Sequence, residues 1–170
     1  MALPEAVDLG SAAAIVVERD GYFDYAAALG AGGVEWHVNF ADPHLFVAYG
    51  SSLFAQDEMQ VAEHPALGSL REALEAAGRR AVTVEAGEPT PVLVTGVERR
   101  CAIATNPDTA AGRPAGLYGN AFARASADAV ARATTPIDPP TITNLIAMAA
   151  PPGGQVDIAS TRSCMCWSPP

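Results

Sequence analysis

Val34-Glu35-Trp36-His37-Val38-Asn39-Phe40-Ala41-Asp42-Pro43 contains the clearest strand of the chain. Val34, Trp36 and Val38 alternate with polar residues, the period that places successive side chains on opposite faces. Asp42-Pro43 closes the run, because proline cannot donate to a ladder and biases the residue before it away from the α region. The reading is therefore a strand over 34–41 with Val34, Trp36 and Val38 on one face. Upstream, the Gly30-Ala31-Gly32-Gly33 break separates it from an expected helix at 22–29 and an apolar strand at 12–18, which ends at the turn-forming Asp20-Gly21.

Downstream the period changes. Residues 55–64 and 66–77 carry helical spacing, with Leu67, Leu70 and Leu74 on one face, Pro65 dividing the unit and Gly78 as the stop. Short strands follow at 82–85, 91–97 and 101–104, then a helix at 121–133 after a Gly/Pro-rich stretch. The apolar run 141–150 suits a strand buried on both faces of a sheet. Alternating strands and helices predict an α/β layer fold without internal repeats. The expected organisation is one domain over 1–154 and an irregular or disordered tail over 155–170.

Composition narrows the function classes. With 170 residues, 49% of them hydrophobic, the chain can bury one core but not two. A net charge of -9 disfavours nonspecific nucleic-acid or anionic-membrane binding, since no basic field offsets phosphate repulsion. An acidic start without a basic, apolar leader, and no run of about eighteen apolar residues, predict a cytoplasmic protein with no membrane span. Cys101, Cys164 and Cys166 are then expected as thiols.

The chemistry concentrates where the strand ends at Asn39-Phe40-Ala41, a loop spans 42–55, and Gln56-Asp57-Glu58 opens a helix leading to His64-Pro65-Ala66-Leu67. In that order these elements resemble the poly(ADP-ribose) glycohydrolases, a branch of the macrodomain fold. Thr141-Ile142-Thr143 and Ala149-Ala150-Pro151 resemble the family's later strand, whose end lines the nucleotide cleft.

The resemblance implies a three-layer macrodomain-like mixed sheet flanked by helices, acting on an O-glycosidic ribose bond in poly- or mono-ADP-ribose adducts. Glu58 matches the catalytic position, protonating the leaving oxygen and then activating water. Asp57 matches the preceding acid, which orients the ribose; Gln56 supports the loop and Asn39 contacts the distal ribose. Tyr49, Gly50, Ser51 and Ser52 occupy the diphosphate loop, the two serines as replacement hydrogen-bond donors. The family's three consecutive glycines are not kept, so Phe46, Val47 and Ala48 are expected to narrow that approach. ADP-ribose or an ADP-ribosylated protein is the implied partner, with no redox cofactor and no obligatory metal.

The physics is compatible with these roles. Glycoside cleavage needs a carboxyl group to protonate the leaving oxygen. Adjacent helical residues diverge by about 100°, so one of Asp57 and Glu58 faces any given site. Two carboxylates at a helix start also serve a purely structural purpose, offsetting the positive end of the dipole. A noncatalytic nucleotide-binding module and a shortened structural or interaction domain therefore remain alternatives. His37, His44 and Asp42 read as loop residues rather than metal ligands, and Cys164-x-Cys166 lacks a zinc site's spacing. Gly116-Leu117-Tyr118-Gly119-Asn120 reads as a turn, or as a nucleotide-contacting loop in which Tyr118 or Phe122 stacks on adenine.

Overall fold

A computed structural model describes residues 34–150. The expected strand at 12–18, helix at 22–29 and tail at 155–170 lie outside the described residues. In chain order the elements are β1 (His37–Phe40), α1 (Gln56–Glu63), α2 (Ala66–Ala76), β2 (Val84–Glu85), β3 (Glu88–Pro89), β4 (Val92–Ile103), a 3-10 turn (Gly119–Arg124), α3 (Ala127–Ala133) and β5 (Thr134–Met148). The main sheet is mixed, in the order β1-β5-β4, with β1 parallel and β4 antiparallel to β5; β2 and β3 form a separate hairpin. The chain is thus of α/β class.

The two helices follow their sequence signals closely. Gly78, at φ +65°, closes α2: its N–H and that of Arg79 return to the carbonyls of Glu75 and Leu74. That is the paired hydrogen-bond pattern in which a left-handed residue satisfies the last turn's orphan carbonyls. Leu67 is fully buried, and Leu74 packs against the core of Leu45, Phe46, Val61, Val97 and Leu145. Phe46 reaches that core at φ +52°. Left-handed backbone costs a non-glycine residue about 1–2 kcal/mol, and complete burial of the ring offsets it.

The strands, and one helix, depart from expectation. β1 is shorter than 34–41, and its buried face carries Asn39 and Ala41, whereas Val34, Trp36 and Phe40 are exposed. Among the described residues it has one neighbour, β5, so it lies at an edge while β5 is central.

β5 begins at Thr134 rather than at 141. It buries Thr143, Leu145 and Ala147 while leaving Ile142 66% exposed, so it is half-buried instead of covered on both faces. Among the described residues its prolines fall in the part paired with β4 alone, where the register slips between Arg99 and Cys101. Proline is tolerated there because no second ladder asks for its missing N–H.

β4 runs unbroken through the two strands expected at 91–97 and 101–104. The helix expected at 121–133 is divided: the 3-10 turn ends at Arg124, and Ser126 starts α3 by accepting the Ala129 N–H at 3.2 Å. A serine hydroxyl competes well for a helix's first free amides, so it starts a helix more readily than it continues one.

Candidate functional site

The parallel pairing of β1 and β5 brings their C-terminal ends together, with Ala41 N–H donating to Met148 O at 3.1 Å. The loop over 42–55 leaves that edge and returns at the start of α1. Gln56, Asp57 and Glu58 are all buried there, unusual for three polar residues at a helix N-terminus, and each is committed to a particular partner.

Gln56 acts as a substitute strand. Its Nε2 donates to Val38 O at 2.7 Å and its Oε1 accepts from Phe40 N–H at 2.8 Å, so one amide satisfies an open carbonyl and an open N–H of β1. Gln60, one turn on, donates to the same carbonyl at 3.3 Å. Asp57 Oδ1 accepts from Asn39 Nδ2 at 3.0 Å. Burial raises the Asp57 carboxyl to about 6, with neighbouring Glu58 and Asp42 adding to the rise and the Asn39 hydrogen bond and Arg71 opposing it. Asn39 is completely buried, and its Oδ1 has no partner among the described residues. Glu58 Oε2 accepts the Ala55 N–H at 2.9 Å, tying the carboxylate to the residue that precedes its own helix.

Glu58 also lines a cavity of about 390 Å³ between the loop and α1–α2. Tyr49, Gly50 and Ser51 form its loop wall, while α2 supplies Gly68, Ser69 and Glu72. Phe54 and Phe122 close another side, stacked with ring centres 4.6 Å apart and planes 16° from parallel. Tyr49 donates its hydroxyl to Glu72, and its ring lies against Gly68, where an added Cβ would come within 3.2 Å of the ring carbons. Phe46 is turned into the core and Val47 is exposed; neither they nor Ala48 line the cavity.

Of the residues singled out in the sequence, Glu58, Tyr49, Gly50 and Ser51 meet in this cavity. Asn39, Gln56 and Asp57 sit together against the end of β1 instead, and Ser52 is exposed outside the lining. Phe122 lines the cavity, whereas Tyr118 is 52% exposed. Gly116 holds a tight approach to Thr105 O, 2.4 Å from where a Cβ would stand. Glu72, Gly68 and Phe54 carried no sequence signal of a site. Glu72 could have been found from its spacing, since Gly68 and Glu72 stand four apart and share a helix face away from Leu67 and Leu74.

A second polar group ties the far end of α1 to the sheet. Buried Glu63 pairs with Arg99 at 2.9 Å and accepts the Ile103 N–H at 2.8 Å. His64 is bracketed by Gln60 O at 2.8 Å and Thr143 Oγ1 at 3.1 Å, and burial lowers its imidazole to about 4. His44 and Asp42 approach to 3.4 Å at the surface. No group of three potential ligands that could hold a metal ion occurs among the described residues, nor any helix long and apolar enough to cross a membrane. Comparison of the chain with family models and curated proteins, and of its fold with solved structures, finds no match.

Proposed function

We propose that this chain hydrolyses an O-glycosidic ribose bond in an ADP-ribose adduct, with Glu58 as the proton donor. One observation carries the reading: Glu58 is a buried carboxylate that opens onto a cavity walled by Tyr49, Gly50 and Ser51. Its Oε2 is fixed by the Ala55 N–H, which leaves the other carboxyl oxygen for proton transfer. Glu58 gives its proton to the leaving oxygen as the bond from ribose C1 breaks. A water then adds to C1 and returns a proton to the carboxylate. Asp57, held by Asn39, positions the start of α1 and does not share the leaving oxygen.

The Ala55 contact also favours a second reading, in which Glu58 is a helix-start residue and the cavity binds a nucleotide without cleaving it. Glu58→Gln separates the two, because it keeps size and hydrogen bonding and removes the transferable proton. Turnover on an ADP-ribosylated substrate should fall by roughly 10²–10⁴-fold with ADP-ribose affinity little changed. Equal turnover in variant and wild type removes the catalytic assignment. Binding without product in the wild type selects the noncatalytic module, and no calorimetric affinity for ADP-ribose leaves an interaction domain.

A further inference from the structure

The loop over 42–55 is fastened at two places, one near each end. At the first, the Leu45 N–H donates to Ala81 O at 3.0 Å, Arg71 donates to Leu45 O, and Phe46 is completely buried. At the second, Phe54 and Gly119 exchange N–H···O bonds in both directions, at 3.3 and 2.9 Å, and the Phe54 ring stacks on Phe122. Residues 47–53 lie between these anchors, and five of the seven are exposed. Their backbone donors stay within the loop: Val47 N–H to His44 O, Tyr49 N–H to Phe46 O, Ser51 N–H to Ala48 O, and Leu53 N–H to Ser51 Oγ. Among the described residues, one hydrogen bond leaves the segment for the body of the chain, from the Tyr49 hydroxyl to Glu72 on α2.

That tether has a built seat. The Tyr49 ring lies against Gly68, a buried glycine within α2, where an added Cβ would stand 3.2 Å from the ring carbons. Glycine inside a helix costs about 1 kcal/mol against alanine, and here it makes room for the ring. Glu72 stands four residues on, on the same helix face, so ring and hydroxyl meet α2 together. Tyr49, Gly50, Ser51 and Leu53 also line the Glu58 cavity. A segment with few buried contacts and mostly local hydrogen bonds opens at low free energy. The contact that holds it therefore sets how often this part of the cavity wall parts.

We infer that residues 47–53 form a flap over the Glu58 cavity, held shut by Tyr49, and that opening of the flap controls access to the cavity. The inference concerns how the cavity is entered and does not depend on which ligand enters it.

Two measurements on the full chain test it. The first is amide hydrogen exchange. Tyr49→Phe keeps the ring on Gly68 and removes the hydroxyl, whereas Gly68→Ala keeps the hydroxyl and crowds the ring. Each should speed exchange at the Ser51 and Leu53 amides roughly 3–10-fold, the weight of about one net hydrogen bond. The anchored Leu45 and Phe54 amides should not change, which also shows that the variants remain folded. Glu72→Ala should match Tyr49→Phe, and Glu72→Gln, which keeps an acceptor, should stay near wild type. The second measurement is alkylation by iodoacetamide of Ala62→Cys, a position in the cavity wall, followed by peptide mass. Adding Tyr49→Phe should raise that rate by the same factor as the exchange.

Unchanged exchange at Ser51 and Leu53 in both Tyr49→Phe and Gly68→Ala would overturn the tether. Equal acceleration at Leu45 and Phe54 would mean that the whole loop loosens and that no separate flap exists. Faster exchange with an unchanged alkylation rate would overturn the control of access, because the cavity would then be open without the flap moving.

Discussion

Asp57 is the residue whose environment most alters its chemistry. Its carboxyl ionises at about 6 in the folded chain, against about 3.9 when unfolded. Between those values the folded state holds a proton that the unfolded state has released. Stability from this group therefore falls as pH rises through the window, and the penalty is complete above about 6. His64 has the opposite slope. Its folded value of about 4 lies below the unfolded value of about 6.5, so stability is lost as pH falls from 6.5 towards 4. The two offset each other across most of that interval. Asp57→Asn keeps an acceptor for Asn39 and removes the ionisation. Melting temperature followed against pH should then show the variant more stable than wild type at pH 8 by roughly 5 °C. The gain should vanish near pH 4, and acid sensitivity between about 6.5 and 4 should be steeper than in wild type. A constant offset at all pH values would mean that Asp57 does not titrate in this range. None of this was legible in the sequence, where Asp57 is simply an acid at a helix start; its raised value comes from burial against a strand 18 positions away.

At the scale of elements, the junction of β1 and α1 depends on one amide. A strand edge presents open N–H and C=O groups that must find partners when buried. Gln56 meets both at once, joining a strand end to a helix start across the loop. Gln56→Ala should cost about 1–3 kcal/mol in urea unfolding, chiefly through the Phe40 N–H, because Gln60 still reaches the Val38 carbonyl. Gln56→Glu should be no better, since it replaces the donor by an oxygen facing a carbonyl. A cost below about 0.5 kcal/mol for both variants would show that water serves β1 equally well. The sequence marked Gln56 by resemblance as a loop support; only the pairing shows that the loop it supports is anchored through β1.

At the scale of the molecule, α1 is clamped at both ends, by Gln56 against β1 and by Glu63 and His64 against β4 and β5. The clamp keeps Glu58 at a fixed height over the cavity. Arg99→Met should destabilise the fold by about 3–5 kcal/mol, because Glu63, 4% exposed, would be left as a buried charge without its partner. The double variant with Glu63→Gln should recover part of that loss, and chemical denaturation of the four proteins measures the coupling. Absence of recovery would mean that Arg99 contributes through packing of its stem and not through the pair.

The sequence by itself determined α1 and α2, the break at Pro65, the stop at Gly78 and the apolar run at the heart of β5. It also placed the carboxylate pair at a helix start. Each of these depends on neighbours a few residues away, whose steric and hydrogen-bonding demands are written in local spacing. Tertiary structure alone decided which face of β1 is buried, where an alternation of Val34, Trp36 and Val38 gave way to a face carrying Asn39. It likewise joined 92–103 into one strand, because β5 pairs with it on both sides of the register slip between Arg99 and Cys101. The cavity, too, is tertiary: Tyr49, Phe54 and Glu58 share one stretch of chain, but Glu72 comes from α2 and Phe122 from the 3-10 turn, and no local period relates them. Periodicity reports what a segment can bury, whereas the partner it meets decides what it does bury.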